Sequence, residues 1–310
     1  MNNPPCKLAL LKPAWRAAAL GCLVVGLGTA HAYAHAISMQ PAPVEDTPAF
    51  KALLASAQNG NDAAQLKLGL LYALGAQEGA QSGGQDGAQK SDLPNLPRND
   101  AQAAAWFRKA ADQGNAAAQF NLGVLYAQGH GVPQSDRQAA AWYRKAADQG
   151  NGDAEDNLGI LCAFGRGVAK DPAQAAQWWR KAADQGNADA QYNLGVLYDQ
   201  GHGVARNWPE AAAWFRKAGT PKGAWPGDAR AQAKLGALYV LGHGVAQSDR
   251  QAAAWYRKAA NQGFADAQLA LGTLYEDGQG VPQSDDEART WYAKACRQHV
   301  KEACTALASL

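Results

Sequence analysis

The sequence has few cysteines, little excess charge and one apolar run. The small net charge and the single apolar run each exclude a class of protein. Its 310 residues include five Cys, and 29 Lys and Arg stand against 27 Asp and Glu. A net charge of +2 excludes the strongly basic surface that is typical of nucleic-acid-binding proteins, so we expect no nucleic-acid partner. After residue 36 no apolar run approaches the ~20 residues of a membrane-spanning helix, and we expect no integral membrane segment in the mature chain.

Motifs that mark common enzyme sites are also missing. The sequence contains no Gly-Lys pair of a phosphate-binding loop, and no H-E-x-x-H, C-x-x-C or G-x-S-x-G motif. The four histidines after residue 36 lie apart from one another, whereas a metal needs converging ligands. The sequence therefore predicts no catalytic residue, no cofactor and no metal site, and indicates a protein that is not an enzyme.

The first 36 residues have the composition of a cleaved secretory signal. Three cations and no acidic residue precede an uncharged apolar run at 17–30, and Ala-x-Ala sites follow, the last ending at Ala36. Removal of residues 1–36 changes the net charge to −1. We expect Sec-type export of the mature chain to the periplasm of a Gram-negative bacterium, with secretion as the less favoured alternative, and a linker at 37–46.

Internal repetition is the strongest signal in the rest of the chain. A Trp recurs at steps of 36, 36, 36, 41 and 36 residues, and a Leu-Gly pair keeps the same period over its last four steps. The tryptophans are Trp106, Trp142, Trp178, Trp214, Trp255 and Trp291. Two independent landmarks that share one period indicate repeated supersecondary units, which bury their apolar faces by stacking.

The unit at 115–150 shows what each repeat contains. Its first half places apolar residues at helical spacing from Ala118 to Tyr126, and a Gly-His-Gly turn ends that stripe at Gly129. Ser135 is a helix N-cap residue, and a second apolar stripe that includes Trp142 follows it. Each unit is therefore expected to be a hairpin of two helices.

These residues resemble the Sel1-like repeat, a relative of the tetratricopeptide repeat. The shared pattern is A-x-x-x-L-G-x-L-Y-x-x-G-x-G-V followed by D-x-x-x-A-x-x-W-Y-x-K-A-A-x-x-G, and residues 190–204 and 249–263 carry its two halves. The resemblance covers about residues 50–310. It implies an all-α fold, a right-handed α-solenoid (superhelix) of about six helix-turn-helix repeats with capping helices, and an adaptor function in protein assemblies.

The pattern also divides the chain into units. We expect an N-terminal capping helix at 47–60, a C-terminal capping helix at 300–310, and repeats at 61–114, 115–150, 151–186, 187–227, 228–263 and 264–299. The first repeat carries a Gly-, Gln- and Ser-rich insertion at 75–99, which we predict to be disordered. The fourth gains five residues around 219–227, where Trp225 either packs on the adjoining helices, the favoured interpretation, or is exposed for a partner.

The cysteines of the mature chain have separate interpretations. Aligning the last repeat on the one before it places Cys296 at the end of one helix and Cys304 at the start of the next, a placement that favours a disulfide in an oxidising compartment. Cysteine-rich members of the resembled family similarly bridge successive helices; two unpaired thiols are the alternative. Cys162 takes the position of Tyr126 and is expected to be a buried, unreactive thiol.

A partner-binding surface is predicted on the first helix of each repeat. A helical wheel places the face opposite the packing stripe, and the resemblance implies that this face lines a concave groove. The candidate groove residues are Phe120, Val124, Asp153, Asp156, Ile160, Phe164, Asp189, Tyr192, Val196, Asp199, Arg230, Asp266 and Asp277. Apolar side chains and carboxylates alternate there, which favours a peptide with apolar anchors and basic side chains; ordinary solvated positions are the alternative.

Together these observations predict a non-catalytic exported adaptor or scaffold. Its partner is expected to be a protein or peptide bound in the groove, in a process of envelope assembly or signalling. Two alternatives remain. Beta-lactamase activity has been attached to cysteine-rich members of the resembled family, which leaves a cell-wall-related hydrolase open, although no serine of the repeats has a Lys three residues later. The other is a secreted factor that acts on a host.

Overall fold

A computed structural model describes residues 47–75 and 96–310 of the chain. In these two ranges fourteen α-helices follow one another, and an isolated antiparallel bridge joins Lys222 to Trp225. The predicted signal at 1–36, the linker at 37–46 and residues 76–95 of the insertion lie outside the described residues.

The helices alternate between the first and second positions of a repeat. The first helices are α2 (Asp62–Leu74), α4 (Ala116–Gln128), α6 (Gly152–Phe164), α8 (Ala188–Gln200), α10 (Ala229–Leu241) and α12 (Ala265–Asp277). The second helices are α3 (Asp100–Asp112), α5 (Asp136–Ala147), α7 (Pro172–Asp184), α9 (Trp208–Gly219), α11 (Asp249–Asn261) and α13 (Asp285–Cys296). At the ends, α1 (Pro48–Gln58) and α14 (Lys301–Ser309) occupy the segments predicted to cap the stack. Each helix packs mainly on its neighbours in sequence, which confirms the α-solenoid of helix-turn-helix repeats.

Glycine lets the two helices of a repeat approach closely. A Cβ added to Gly123 would lie 2.6 Å from ring atoms of Tyr143, and one added to Gly159 would lie 2.6 Å from the indole nitrogen of Trp179. Leu122 and Ala118 on the same face of α4 are fully buried. The Leu-Gly pair is therefore the site where an aromatic ring of the second helix lies on the backbone of the first.

The turn inside each repeat contacts the repeat before it. Gly203 has a φ of +73° and lies against the backbone of Pro172 and Ala173 at the start of α7. The residue between the glycines of these turns also reaches back: the Arg166 guanidinium binds the Asp136 carboxylate through two hydrogen bonds of 2.9 and 3.0 Å. These turns join successive repeats as well as the two helices of one repeat.

The ends of the insertion in the first repeat are ordered. Leu96 is buried in the apolar cluster that also contains Phe50 and Tyr72, and the N–H of Asn99 donates to the carbonyl of Tyr72 at 2.8 Å. The Asn99 side chain then caps α3. Residues 96–99 of the predicted insertion therefore pack on the core of the repeat, and the prediction of disorder for residues 76–95 falls outside the described residues.

A disulfide joins Cys296, the last residue of α13, to Cys304 in α14, with an S–S distance of 2.04 Å. The predicted pairing is therefore confirmed. Because α14 packs mainly on α13, the covalent link fixes a helix that has few other neighbours.

We expect the Cys296→Ser/Cys304→Ser double variant to lose about 2–3 kcal/mol of stability, as estimated for closing a loop of this length in the unfolded chain. Amide hydrogen exchange should accelerate in α13 and α14 and stay unchanged in α4 to α7, since each repeat contacts only its neighbours. Unchanged protection of α14 in the double variant would contradict this expectation.

Candidate partner-binding surface

The predicted groove residues lie on the face of the first helices that points away from their buried stripe. In α8 the stripe contains Ala190, Leu194 and Leu197, all buried, whereas Tyr192 and Val196 remain partly accessible. We call the accessible side the first-helix face; it comprises the thirteen predicted positions and their equivalents in α2 and α10. Of the thirteen, Asp153, Phe164, Asp266 and Asp277 are exposed, Asp156 is buried, and the others are half-buried.

Exposed large apolar side chains concentrate on this face. Among the described residues there are five, Leu70, Leu74, Phe164, Trp225 and Leu241, and all except Trp225 lie on the first-helix face. Leu74, Phe164 and Leu241 are each the last residue of a first helix, with exposed fractions of 77%, 51% and 60%. Exposed apolar residues that share one face of a repeat stack are typical of an extended binding surface, whereas a single exposed apolar residue needs no explanation.

Leu74, Phe164 and Leu241 lie at the same position of alternate repeats, in α2, α6 and α10. The same final position holds Gln128, Gln200 and Asp277 in α4, α8 and α12. An apolar residue and a polar residue therefore take turns along the stack. The sequence-based candidates at this position were Phe164 and Asp277. The helical wheel also places Leu241 on this face, although it was not chosen as a candidate, and Leu74 was missed; comparing the last residue of every first helix would have found it.

Two predicted groove residues neutralise each other across repeats. The Arg230 guanidinium at the start of α10 forms ion pairs with Asp189 of α8 and with Asp228, and its Cζ lies 4.4 Å from the ring centroid of Tyr192. When the repeats are aligned by sequence, Arg230 takes a position that is an aspartate in several other first helices. The structure shows that it joins two first helices and reduces the negative charge available to a partner at Asp189.

Asp156 is not a surface residue, and its inclusion in the groove is corrected. Its exposed fraction is 5%, and its Oδ1 accepts a hydrogen bond of 3.2 Å from Nδ2 of Asn193 in α8. Burial, reinforced by the nearby Asp189 carboxylate, raises the pKa of Asp156 to about 7. A helical wheel drawn for one helix cannot show that the next first helix covers this position.

Glu155, directly before Asp156, is a second buried acidic residue. Glu155 replaces a glutamine that the other first helices carry at the same position, where the amide donates to a carbonyl of the preceding second helix, as Gln119 does to Ala111 at 3.1 Å. Glu155 accepts a hydrogen bond of 2.7 Å from Gln185, and burial raises its pKa. Sequence reasoning missed Glu155, although the change from Gln to Glu is visible in the aligned repeats.

Other predicted carboxylates remain available to a partner. Asp199, Asp266 and Asp277 form no ion pair with any residue that the structure describes. Asp153 is exposed as well, and its Oδ1 accepts a hydrogen bond of 3.1 Å from Asn187. The accessible acidity of the first-helix face therefore lies at its α6, α8 and α12 positions.

The chemistry of the remaining reactive groups is limited within residues 47–75 and 96–310. No cluster of three or more His, Cys, Asp or Glu residues there has the geometry to hold a metal ion. Cys162 is buried, its Sγ lies 3.2 Å from Oε1 of Gln174, and burial raises the pKa of the thiol. In the same ranges no helix combines the length and apolar character needed to cross a membrane.

Comparison with known proteins assigns the repeats. A family model described as Sel1 repeat matches residues 89–115, 116–151, 152–187, 188–220, 229–264 and 265–300. The last five segments each contain one helix pair of the stack, and the first contains α3. No curated protein sequence matches the chain.

Two solved structures resemble the chain in both sequence and fold. One is c5321, a protective antigen present in uropathogenic Escherichia coli strains and displaying an SLR fold; it matches at 35% identity and a TM-score of 0.72, over 83% of this chain and 50% of that chain. The other is a Sel1 repeat protein from Oxalobacter formigenes, at 36% identity and a TM-score of 0.61, over 67% of this chain and 81% of that chain. The chain thus spans about half the length of the first of these relatives.

Proposed function

The chain belongs to the Sel1 repeat family, and from this premise we propose that it is a non-catalytic adaptor that binds a protein or peptide partner on its first-helix face. The observation that carries the proposal is the placement of four of the five exposed large apolar side chains on that one face. Exposed apolar residues that lie on one face and are bordered by polar residues are typical of protein interaction sites, and bulky anchors supply most of the binding energy there.

The partner is proposed to combine apolar anchors with basic side chains. Phe164 and Leu241 offer apolar contacts, while the carboxylates of Asp199, Asp266 and Asp277 are accessible. Charges at the rim of an interface mainly direct encounter and select the partner, so apolar contacts should dominate affinity and carboxylates should dominate salt dependence.

Export and a role in envelope assembly or signalling are part of the proposal. The composition of residues 1–36 supports export, and so does the disulfide between Cys296 and Cys304, because disulfides persist in oxidising compartments. A second candidate is a secreted factor that acts on a host. It is supported by the similarity to c5321, which is described as a protective antigen.

The Phe164→Ser/Leu241→Ser variant tests the first-helix face. A partner captured by the purified chain from an envelope extract is identified and purified, and its Kd is then measured by calorimetry with the wild-type chain and the variant. We expect the Kd to rise at least about tenfold, because each replacement removes an apolar anchor. The fold should be unaffected, since both side chains are exposed.

The matched control is Gln138→Ser/Gln251→Ser, which changes two exposed residues of the second helices α5 and α11. Its Kd should equal that of the wild-type chain. Two results would show that the first-helix face is not the binding site. The partner would bind the Phe164→Ser/Leu241→Ser variant with unchanged affinity, or its affinity would fall only for the control variant.

A further inference from the structure

The five-residue insertion in the fourth repeat forms a hairpin between α9 and α10. Lys222 and Trp225 exchange two backbone hydrogen bonds of 3.0 Å, and Gly223 between them has a φ of +56°. We call residues 220–226 the inserted hairpin. In the other complete repeats the same junction is a tight turn of a few residues, as between α5 and α6.

The base of the inserted hairpin is fixed to the core. Gln232 is fully buried, and its Nε2 donates to the carbonyl of Gly219 at 2.9 Å and to that of Pro226 at 2.8 Å, one on each side of the hairpin. The N–H of Asp228 also donates to the carbonyl of Ala218 at 3.0 Å. The hairpin is therefore held in one conformation before any partner binds, which lowers the entropy lost on binding.

This fixed hairpin presents a tryptophan to solvent. Trp225 has an exposed fraction of 39%, whereas Trp214 on the adjoining helix is buried. The sequence leaves packing and exposure open, with packing favoured; in the structure Trp225 is partly covered and partly accessible. Trp225 is also the exposed large apolar residue that does not belong to the first-helix face.

The segment that carries the hairpin is basic in sequence. Residues 211–227 contain Arg216, Lys217 and Lys222, and the acids that flank this segment, Glu210 and Asp228, each form an ion pair with an arginine. The second helices α3, α5 and α7 are each closed by an aspartate, namely Asp112, Asp148 and Asp184, but α9 ends at Gly219 without one. Positive charge around an exposed aromatic ring complements a partner that is acidic and carries an apolar side chain.

We propose that the inserted hairpin is a second docking site, which binds an acidic segment of a partner protein. An apolar side chain of that segment packs on Trp225, and its carboxylates lie near Lys222 and Lys217. The hairpin precedes the first turn of α10 and adjoins Arg230, whereas the apolar anchor Leu241 ends that helix about 18 Å away along the axis. Trp225 is therefore separate from the apolar anchor that α10 contributes to the first-helix face. The site goes beyond the adaptor function of the first-helix face, because a chain with two sites can hold two segments at once.

A selection from a random 12-residue peptide library tests the site without requiring the natural partner. Peptides are selected on the wild-type chain after depletion on the Trp225→Ala/Lys222→Glu variant, and the Kd of each selected peptide is measured by fluorescence polarisation. We expect peptides rich in Asp and Glu with at least one bulky apolar residue, and Kd values that rise tenfold or more with Trp225→Ala. Trp225→Phe should restore part of the affinity.

Two further measurements separate this site from the first-helix face and from other polyanions. The selected peptides should bind the Phe164→Ser/Leu241→Ser variant with unchanged Kd; a tenfold loss there would assign them to the first-helix face and overturn the proposal. Dextran sulfate and phosphatidylglycerol vesicles serve as probes of non-peptide ligands. Trp225-dependent binding of either probe in place of the acidic peptides, or a selection without acidic enrichment, would overturn it as well.

Discussion

Replacement of Asp156 by Asn is expected to raise the free energy of unfolding at pH 8 by about 3–4 kcal/mol and to have little effect at pH 4. The pKa of Asp156 is raised to about 7 in the folded chain, mainly by burial, and lies near ~3.9 in an unfolded chain. Between these values the folded state binds more protons than the unfolded state, so stability decreases as the pH rises from 4 to 7. Each unit of pKa difference corresponds to about 1.4 kcal/mol.

The measurement is urea-induced unfolding of the wild-type chain and the Asp156→Asn variant at pH 4, 5, 6, 7 and 8. Asparagine keeps the oxygen that accepts the hydrogen bond from Asn193, so the difference between the two chains reports the buried charge. Asp266→Asn is the control, since Asp266 is exposed in the first turn of α12 and its replacement should bring no gain at pH 8. A difference between wild-type chain and Asp156→Asn that stays constant from pH 5 to pH 8 would refute the expectation.

The repeat architecture could be predicted from the sequence because each landmark has one physical role in every unit. The glycine of the Leu-Gly pair allows close helix contact, as at Gly123 against Tyr143, and the turn glycines adopt positive φ. A residue type that is required at a fixed place must recur with the period of the stack. The same logic placed Cys296 and Cys304 next to each other, since both lie at a helix junction.

The candidate surface was harder to predict because its details depend on contacts between repeats. The pair of Arg230 with Asp189 joins residues 41 positions apart, and Asp156 is covered by α8. A helical wheel treats each first helix alone and therefore counted these three side chains as free. The inserted hairpin shows a related limit. Its length and place follow from the alignment, whereas its conformation depends on Gln232, and every other first helix except α6 also has a glutamine at this position.

Replacement of Gly203 by Ala is expected to lower the free energy of unfolding by about 2–5 kcal/mol. Two effects add. A non-glycine residue in the left-handed conformation at a φ of +73° costs about 1–2 kcal/mol. The new Cβ would also lie 2.6 Å from the backbone nitrogen of Ala173, and relieving that overlap moves a rigid helix start and opens the contact between two repeats, which costs about 1–3 kcal/mol more.

Gly186→Ala separates the two effects. Gly186 has a φ of +93°, and no atom lies within 4 Å of an added Cβ, so this variant carries the conformational cost without the overlap. In urea unfolding it should lose only about 1–2 kcal/mol. Because repeats are stabilised by their neighbours, Gly203→Ala should also split the transition into two, one for each side of the weakened contact. Equal losses in the two variants would mean that the turn does not join the repeats.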